Sequence, residues 1–243
     1  MNNPEIPQQV SICLPVLNES EVITKVLSEW IHVLDQLPRG SQILIEDGGS
    51  TDGTTEILRE ISSNDSRINV MYRDKPDGFG SAAKRLLGAP TSGWVFFTDS
   101  DGQYVAEDFW KLWERRQDYD FIRGIKLGRQ DPFFRRVGSL LWNKSARFLF
   151  ELPVSDLNAA FLLMRAELLR ELLPSVRILR TMILSELIIR AVMHNASFGR
   201  DIYIFHRARE SGKSRATPGI KYLMTGLSQI RGLFQIKSDY RIR

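Results

Sequence analysis

The sequence predicts an α/β fold: a mostly parallel sheet flanked by helices, with a C-terminal helical extension. Short apolar runs of strand length alternate with helical patterns through the first half of the chain. The 243 residues, 43% of them hydrophobic, suffice for one large core. No repeat, low-complexity tract or long linker divides them. We therefore expect one domain over residues 1–215 and an amphipathic helical extension over residues 216–243.

The first half supplies the centre of the predicted sheet. Apolar runs predict strands at 10–16, 42–46, 68–72 and 94–99, and helical spacing predicts helices at 22–34, 52–61 and 80–88. Asn18, followed three positions later by Glu21, resembles a helix cap. Alternating strands and helices predict right-handed crossovers and parallel strands, and such sheets bind ligands beyond the carboxyl ends of their strands. The segments "PVLNE", "EDGGSTDG" and "TDSDGQ" all begin there.

The second half is less regular. Strands are predicted at 120–124, 160–164 and 201–205, and helices near 105–117, 134–150, 166–173 and 181–194. A last amphipathic helix places five apolar residues on one stripe: Ile220, Leu223, Leu227, Ile230 and Phe234. Membrane contact, dimer contact and intramolecular packing all fit that stripe.

Charge is distributed unevenly along the chain. Residues 1–122 carry 11 Lys and Arg against 20 Asp and Glu, whereas residues 123–243 carry 22 against 9. A basic half of this size suits nucleic acid, anionic lipid or a phosphorylated substrate. The single cysteine, Cys13, lies in an apolar run and indicates a buried thiol in a reducing compartment. With no leader-like segment and no long apolar run, we expect a cytoplasmic protein, either in solution or peripheral on the cytoplasmic membrane face.

Three oxygen-bearing side chains follow the fourth predicted strand in the segment "FFTDSDGQY". Alternate side chains of an extended chain share a face, so Asp99, Asp101 and Gln103 should project together. Two carboxylates and a carboxamide oxygen suit Mg²⁺ or Mn²⁺ and are poor ligands for zinc. Such a metal bridges the phosphates of a nucleotide, and the alternative is an ordinary acidic turn.

Two further loops follow predicted strands. In "ILIEDGGSTDGTTEIL" the glycines let the backbone approach a ligand, and Asp47 can accept hydrogen bonds from a base or ribose. Thr51 or Asp52 can instead cap the next helix. The segment "PDGFGSAAKR" is a Gly-rich entry to a helix whose amino end could face phosphate. Its glycines stand too far past the strand for a dinucleotide fingerprint, and "ESGKS" lacks the upstream glycine of a P-loop.

Together these motifs resemble a known family. "PVLNE", "DGGSTDGT", "GFGSAA" and "FTDSDGQY", in this order, look like the nucleotide-sugar half of family 2 glycosyltransferases with the GT-A fold. "FIRGIKLG", "RRVGSLLWNKSARFL", "VSDLNAAFLLMR", "SELIIRA" and "IYIFHRARESGKSR" are similar to dolichol-phosphate mannosyltransferase and other polyprenyl-phosphate glycosyltransferases. The resemblance covers most of residues 10–215.

Carried over position by position, the resemblance implies four sets of site residues. The nucleotide sugar would contact Pro15, Asn18, Glu19, Asp47, Gly80, Asp99, Ser100 and Glu186. The metal would be held by Asp99, Asp101 and Gln103. The acceptor phosphate would be held by Lys126, Arg135, Arg136, Ser139 and Arg209, and the catalytic residues would be Asp101 and Asp156. Arginine forks bind phosphate well, which agrees with the basic second half.

Four positions depart from the family pattern. Gly48 stands where a second aspartate is usual, and Ala160 lies in "AAF" where Ser-Gly-Phe is usual. Lys126 replaces an arginine and Tyr203 replaces a proline. These changes leave the fold prediction intact but leave the donor and acceptor undetermined.

The resulting hypothesis is an inverting, Mg²⁺- or Mn²⁺-dependent glycosyltransferase. It would move a sugar from a UDP- or GDP-linked donor to a polyprenyl phosphate, with the membrane surface and a second copy of the chain as candidate partners. The alternatives are transfer to a saccharide hydroxyl and a degenerate nucleotide-sugar binding module. A nucleic-acid partner is not expected, because the sequence lacks a recognition motif or an aromatic-basic repeat.

Overall fold

The computed structural model describes residues 8–127, 133–152, 157, 160–199, 202–208 and 220–241, without the side chains of 133–137, 220–228, 240 and 241. The strands are β1 (Val10–Val16), β2 (Gln42–Asp47), β3 (Ile68–Tyr72), β4 (Trp94–Thr98), β5 (Phe121–Leu127), β6 (Phe161–Arg165) and β7 (Ile202–Phe205). The helices are α1 (Ile23–Asp35), α2 (Thr54–Asn64), α3 (Phe79–Gly88), α4 (Phe109–Trp113), α5 (Phe133–Phe150), α6 (Ala166–Leu172), α7 (Ile183–Met193) and α8 (Ile220–Arg241).

The seven strands form one sheet in the order β3-β2-β1-β4-β6-β5-β7. Strands β1 to β4 run parallel, with Pro15 beside Glu46 and Cys13 beside Phe97. Strand β6 lies antiparallel to both β4 and β5, and β7 returns parallel to β5. The predicted α/β class with a mostly parallel sheet is therefore confirmed. The carboxyl ends of β1, β2 and β4 meet at one edge, where the motif-bearing loops emerge.

Two local predictions were wrong. Helix α1 begins at Ile23 after Val22, which makes no side-chain cap, and Asn18 instead has a left-handed backbone with φ 48°. The helix predicted over 105–117 is a 3-10 turn at Ala106–Asp108 followed by α4, which ends at Trp113. At Asn18 the chain makes loop contacts with Ser50 and Thr51 beside the cleft, which helical periodicity does not reveal.

The core lies between the sheet and its helices and is rich in aromatic rings. Phe96 of β4 contacts Trp30, Phe109 and Phe161 with ring centroids 4.7–5.1 Å apart. Cys13 is fully buried, and burial raises the pKa of its thiol far above the usual range. The expectation of a buried thiol is thus confirmed.

Helix α8 packs against α5 and against the segment before α7. Its buried residues include Leu233 and Ile236, and a Cβ added at Gly232 would lie 2.5 Å from Leu179. The two residues of the predicted stripe whose side chains are described, Ile230 and Phe234, face solvent instead. No helix within the described residues combines the length and apolarity needed to cross a bilayer.

Candidate active site

A cleft of about 410 Å³ opens at the carboxyl ends of β1 and β4. Four predicted donor residues line it, namely Pro15, Glu19, Asp99 and Ser100, together with the predicted metal ligand Asp101. Its other wall is the loop into α3, which contributes Pro76, Asp77, Gly78 and Phe79. The Ser100 hydroxyl donates to the Pro15 carbonyl at 2.8 Å, so the ends of β1 and β4 are joined directly.

The predicted metal segment follows β4 as a tight turn. The Gln103 amide donates to the Asp101 carboxylate at 3.2 Å across Gly102, whose φ is 73°. The Gln103 side-chain nitrogen donates to the Arg207 carbonyl at 3.2 Å, which leaves its oxygen as the ligand atom. The Arg207 amide in turn donates to the Gln103 carbonyl at 2.7 Å. Residues after β7 therefore fix this turn.

The oxygen ligands of this segment suit a hard cation that the protein coordinates only in part. Asp99 and Asp101 are partly buried beside the cleft and offer carboxylate oxygens. Within the described ranges, no three His, Cys, Asp or Glu side chains gather as a metal cluster. Mg²⁺ and Mn²⁺ commonly take one or two carboxylates and complete their shell with phosphate and water oxygens. The residues present therefore suit such a cation only if oxygen atoms of a ligand or of water complete its coordination.

The loop after β2 fixes the "PVLNE" loop after β1. The Asn18 amide donates to Ser50 at 2.8 Å, and the Asn18 side chain accepts from the Thr51 amide at 2.7 Å. The Glu19 amide donates to Thr54 at 2.9 Å. Asn18 and Glu19 are thus held beside the cleft by the hydroxyl residues of "GGSTDGT", which the sequence did not reveal.

Asp52 makes the same connection through its carboxylate. It accepts from the Ser20 amide at 3.1 Å and from the Thr54 amide at 3.1 Å. Burial alone would raise the pKa of Asp52, but hydrogen bonds from Thr54 and Ser20 lower it to about 2. Asp52 therefore connects the start of α2 to the β1 loop, whereas the cap position predicted for Thr51 or Asp52 is held by Gly53 without a side-chain cap.

This arrangement predicts a pH-dependent contribution to stability. The folded pKa of Asp52 lies below the unfolded value of about 3.9, so its stabilisation is complete above that value and disappears as the pH falls towards 2. We expect Asp52→Asn to unfold at a lower urea concentration than the wild type at about pH 7, and the difference to shrink below about pH 4. A difference that stays constant over this range would contradict the contribution of the ionised carboxylate.

Asp47 lies at the end of β2 and is only 1% exposed. Its carboxylate accepts from the Ser50 amide at 3.0 Å and from the Thr55 hydroxyl at 2.5 Å. In this state it organises the loop, and its contact with a nucleoside stays a prediction.

A buried ion-pair chain, which the sequence analysis missed, supports the opposite wall of the cleft. Glu46 is fully buried and pairs with Arg85 of α3. Arg85 also forms a two-pronged pair with Asp77, with distances of 2.7 and 2.8 Å. These hydrogen bonds from Arg85 lower the pKa of Asp77, which lines the cleft. Glu46 and Arg85 are 39 residues apart, so no local pattern could have revealed the pair.

Gly80 and Glu186 line a second cavity of about 250 Å³ together with Lys84, Arg177 and Arg180. A Cβ at Gly80 would lie 1.9 Å from the Arg180 carbonyl oxygen, so only glycine allows α3 to approach that segment. The buried Glu186 carboxylate accepts from the amides of Arg177, Ile178 and Leu179 at 2.6–3.0 Å and from the Arg190 side chain at 2.9 Å. The structure does not bring these two residues into the first cleft.

Tyr104 connects the metal segment with the predicted acceptor residues. The Lys126 ammonium lies 5.0 Å from the centre of its ring, and its hydroxyl accepts from the Ala160 amide at 3.1 Å. Ser139 of α5 is buried and accepts from Asn143 at 3.4 Å. Asn143 in turn accepts from the Leu157 amide at 3.0 Å, next to Asp156 in sequence.

Four predicted residues cannot be placed in this way. Arg135 and Arg136 belong to the first turns of α5, but their side chains are outside the described part. Asp156 and Arg209 lie outside the described residues altogether. Their assignments to the acceptor and to catalysis stay predictions.

Comparison with known proteins decides the family. The family model described as Glycosyl transferase family 2 matches residues 11–173, which is more than half of the chain. The chain belongs to glycosyl transferase family 2. This membership confirms the resemblance inferred from the motifs, and the matched range contains β4 and all of β1 after Val10.

Among its family 2 relatives are two proteins named undecaprenyl-phosphate 4-deoxy-4-formamido-L-arabinose transferase. The one from Aeromonas hydrophila is 31% identical over 161 residues, covering 64% of this chain and 48% of that protein. The one from Edwardsiella ictaluri is 33% identical over 138 residues, covering 56% of this chain and 42% of that protein. This chain thus spans about half the length of the relatives it matches.

Solved structures share the fold at low identity. Glucosyl-3-phosphoglycerate synthase from Mycobacterium tuberculosis, in complex with Mn²⁺, uridine diphosphate and phosphoglyceric acid, matches with a TM-score of 0.70 and 21% identity over 95% of this chain and 78% of that one. Mannosyl-3-phosphoglycerate synthase from Rubrobacter xylanophilus matches with a TM-score of 0.65 and 13% identity over 96% and 75%. These similarities confirm the GT-A fold of this family 2 chain.

Proposed function

We propose that this family 2 chain transfers a sugar, with inversion, from a nucleoside-diphosphate sugar to a polyprenyl phosphate. The observation that carries the proposal is the cleft itself, where Asp99 and Asp101 at the end of β4 face the loop into α3. The names of the undecaprenyl-phosphate transferases support the acceptor class. The Mn²⁺ and uridine diphosphate in the Mycobacterium tuberculosis protein support the donor class.

The donor would lie in the cleft with its diphosphate against the β4 turn. Asp99, Asp101 and the oxygen of Gln103 would hold Mg²⁺ or Mn²⁺, which when bound stabilises negative charge on the departing diphosphate. Pro15 and Glu19 would flank the nucleoside, and the exposed Phe79 ring lies on the facing wall. The fixed β1 loop and the Arg85–Asp77 pair would keep both walls in place before the donor binds, which reduces the ordering cost of binding.

The acceptor would approach from the side of β5 and α5. A phosphate monoester has a second pKa of about 6, so a lipid phosphate is already an anionic nucleophile near neutral pH and needs no base. Lys126 lies beside Tyr104, one residue beyond the proposed metal ligand Gln103, and can therefore bind a phosphate near the anomeric carbon. The Lys126 ammonium, Arg135 and Arg136 would orient that phosphate for attack.

A saccharide hydroxyl is the second candidate acceptor and makes a different chemical demand. A hydroxyl must lose its proton during attack, so a base within hydrogen-bond reach is required. Asp156 would take this role. The two acceptors therefore predict different effects of Asp156→Asn. The substitution should abolish transfer to a hydroxyl. It should leave transfer to a phosphate intact, because that reaction needs no proton transfer.

One assay separates the candidates. The full chain is incubated with UDP- and GDP-linked sugars and Mn²⁺, with a short-chain prenyl phosphate, with a saccharide or with neither, and released nucleoside diphosphate is measured. The proposal predicts release that depends on the prenyl phosphate. Release only with the saccharide would replace it by the second candidate, and nucleotide binding without release under any condition would indicate a binding module.

A further inference from the structure

Helix α5 exposes a stripe of apolar and basic side chains to solvent. Leu140, Leu141 and Phe148 are 67%, 60% and 85% exposed, and Lys144 and Arg147 are exposed between them. Offsets of one, four, seven and eight residues place all five on one face of a helix. The opposite face is buried through Ser139, Trp142, Asn143 and Ala146. Since α5 already has a packed face, the outward apolar residues, here called the α5 stripe, are not required for the core.

The charge of α5 is entirely positive. Residues 133–150 contain four arginines or lysines and no acidic residue, and Glu151 follows only where the helix ends. Apolar side chains interleaved with cations are the composition of helices that lie in a membrane interface, with the apolar groups below the head groups and the cations among them. Anionic head groups attract such cations at short range.

Helix α8 repeats this composition beside α5. The Lys237 ammonium donates to the Leu149 carbonyl at 2.9 Å, which ties the two helices together. Its outward side chains include Ile230, Arg231 and Phe234. The acidic residue Asp239 of α8 pairs with Arg177 at 3.3 Å, so its charge is already opposed.

We infer that the α5 stripe is a docking surface for an anionic lipid bilayer. A second copy of the chain is a poorer occupant. A two-fold contact between identical stripes would bring Lys144 and Arg147 of one copy close to the same two cations of the other copy. The inference rests on the proposed function and deepens it. Ser139, a predicted acceptor-phosphate residue, directly precedes the stripe, so docking would hold this end of α5 at the depth of a lipid phosphate.

The test uses the full chain and vesicles of phosphatidylcholine with or without phosphatidylglycerol, with binding measured by flotation. The wild type should bind the anionic vesicles. Lys144→Gln/Arg147→Gln should weaken that binding about 30-fold, because it removes the electrostatic attraction of two cations to the anionic surface. Leu141→Ser/Phe148→Ser should weaken it at least about 10-fold, because two apolar side chains no longer enter the interface.

The matched control is Arg39→Gln/Arg59→Gln, which removes the same charge from exposed positions in the acidic half of the chain. It should bind vesicles like the wild type. Equal loss in the control and the stripe variant would overturn the inference, as would unchanged binding by both stripe variants. Loss of a dimer on substitution, without loss of vesicle binding, would assign the stripe to a second copy and also overturn it.

The proposed function can fail independently of this surface. Each stripe variant is also assayed with a short-chain, water-soluble prenyl phosphate, for which wild-type turnover is expected to be kept. If vesicle binding depends on the α5 stripe but no prenyl phosphate accepts the sugar, the docking surface stands and the proposed acceptor is refuted. Transfer to the soluble acceptor together with stripe-independent vesicle binding would refute the surface alone.

Discussion

Replacing Asp101 by alanine is expected to lower turnover by at least about 100-fold at saturating Mn²⁺. Asp101 lines the cleft and accepts from the Gln103 amide, so it both supplies a proposed ligand oxygen and shapes the turn that carries the other. The measurement is the rate of nucleoside-diphosphate release as Mn²⁺ is varied. The variant should retain the fold, because the Asp101 carboxylate is only partly buried.

Asp118→Ala is the control for this prediction. Asp118 is an exposed acid beyond α4 and does not line the cleft. Its variant should turn over like the wild type. Turnover of Asp101→Ala within a few fold of the control, at any Mn²⁺ concentration, would remove Asp101 from the metal site.

Replacing Glu186 by alanine is expected to lower the free energy of unfolding by about 3–5 kcal/mol. The carboxylate is fully buried and satisfies three successive backbone amides as well as the Arg190 side chain. Alanine would leave those backbone donors without an acceptor, and Arg190 would keep only its longer contact with Asp239 at 3.9 Å. Urea unfolding measures this loss. The unfolding free energy of Glu186→Gln should lie between those of the wild type and Glu186→Ala, because the amide oxygen of glutamine can still accept a hydrogen bond.

Glu171→Ala is the matched control, because Glu171 is an exposed glutamate that pairs with His194 at 2.8 Å. An exposed pair contributes less than about 1 kcal/mol. A loss of similar size in both variants would contradict the structural role of Glu186. If Glu186→Gln were stable yet failed to turn over, the carboxylate would also act on the donor sugar, as the family resemblance implied.

The sequence predicted most of the fold because the core follows simple periodicity. Strands β1 to β4 are nearly continuous apolar runs, and each runs parallel to its neighbour, as strand–helix alternation requires. The antiparallel direction of β6 between β4 and β5 was not predicted, since an apolar run has no direction. The sequence analysis missed the packed face of α8 for a related reason. Apolar residues occur on several faces of this helix, and its contact with Leu179 determines which face is buried.

The candidate site was predictable where one segment contributes several functional residues. Asp99, Ser100 and Asp101 come from a single loop, and all three line the cleft. The supporting contacts were not predictable, because each joins distant segments. The Ser100–Pro15 bond spans 85 residues and the Gln103–Arg207 bond spans 104. Phe79 and Asp77 had a weak signal, since both belong to the Gly-rich entry to α3 that the sequence singled out.

Calorimetric titration of uridine diphosphate and guanosine diphosphate, with and without Mn²⁺, is the most direct test of the proposed cleft. The wild type should bind one of the two nucleotides tightly with Mn²⁺ and at least about 10-fold more weakly without it, because the cation links the diphosphate to the β4 turn. Asp99→Ala/Asp101→Ala should bind equally weakly in both conditions. A nucleotide affinity that is the same with and without Mn²⁺, or that the double substitution does not change, would contradict a metal-held diphosphate at this edge of the sheet.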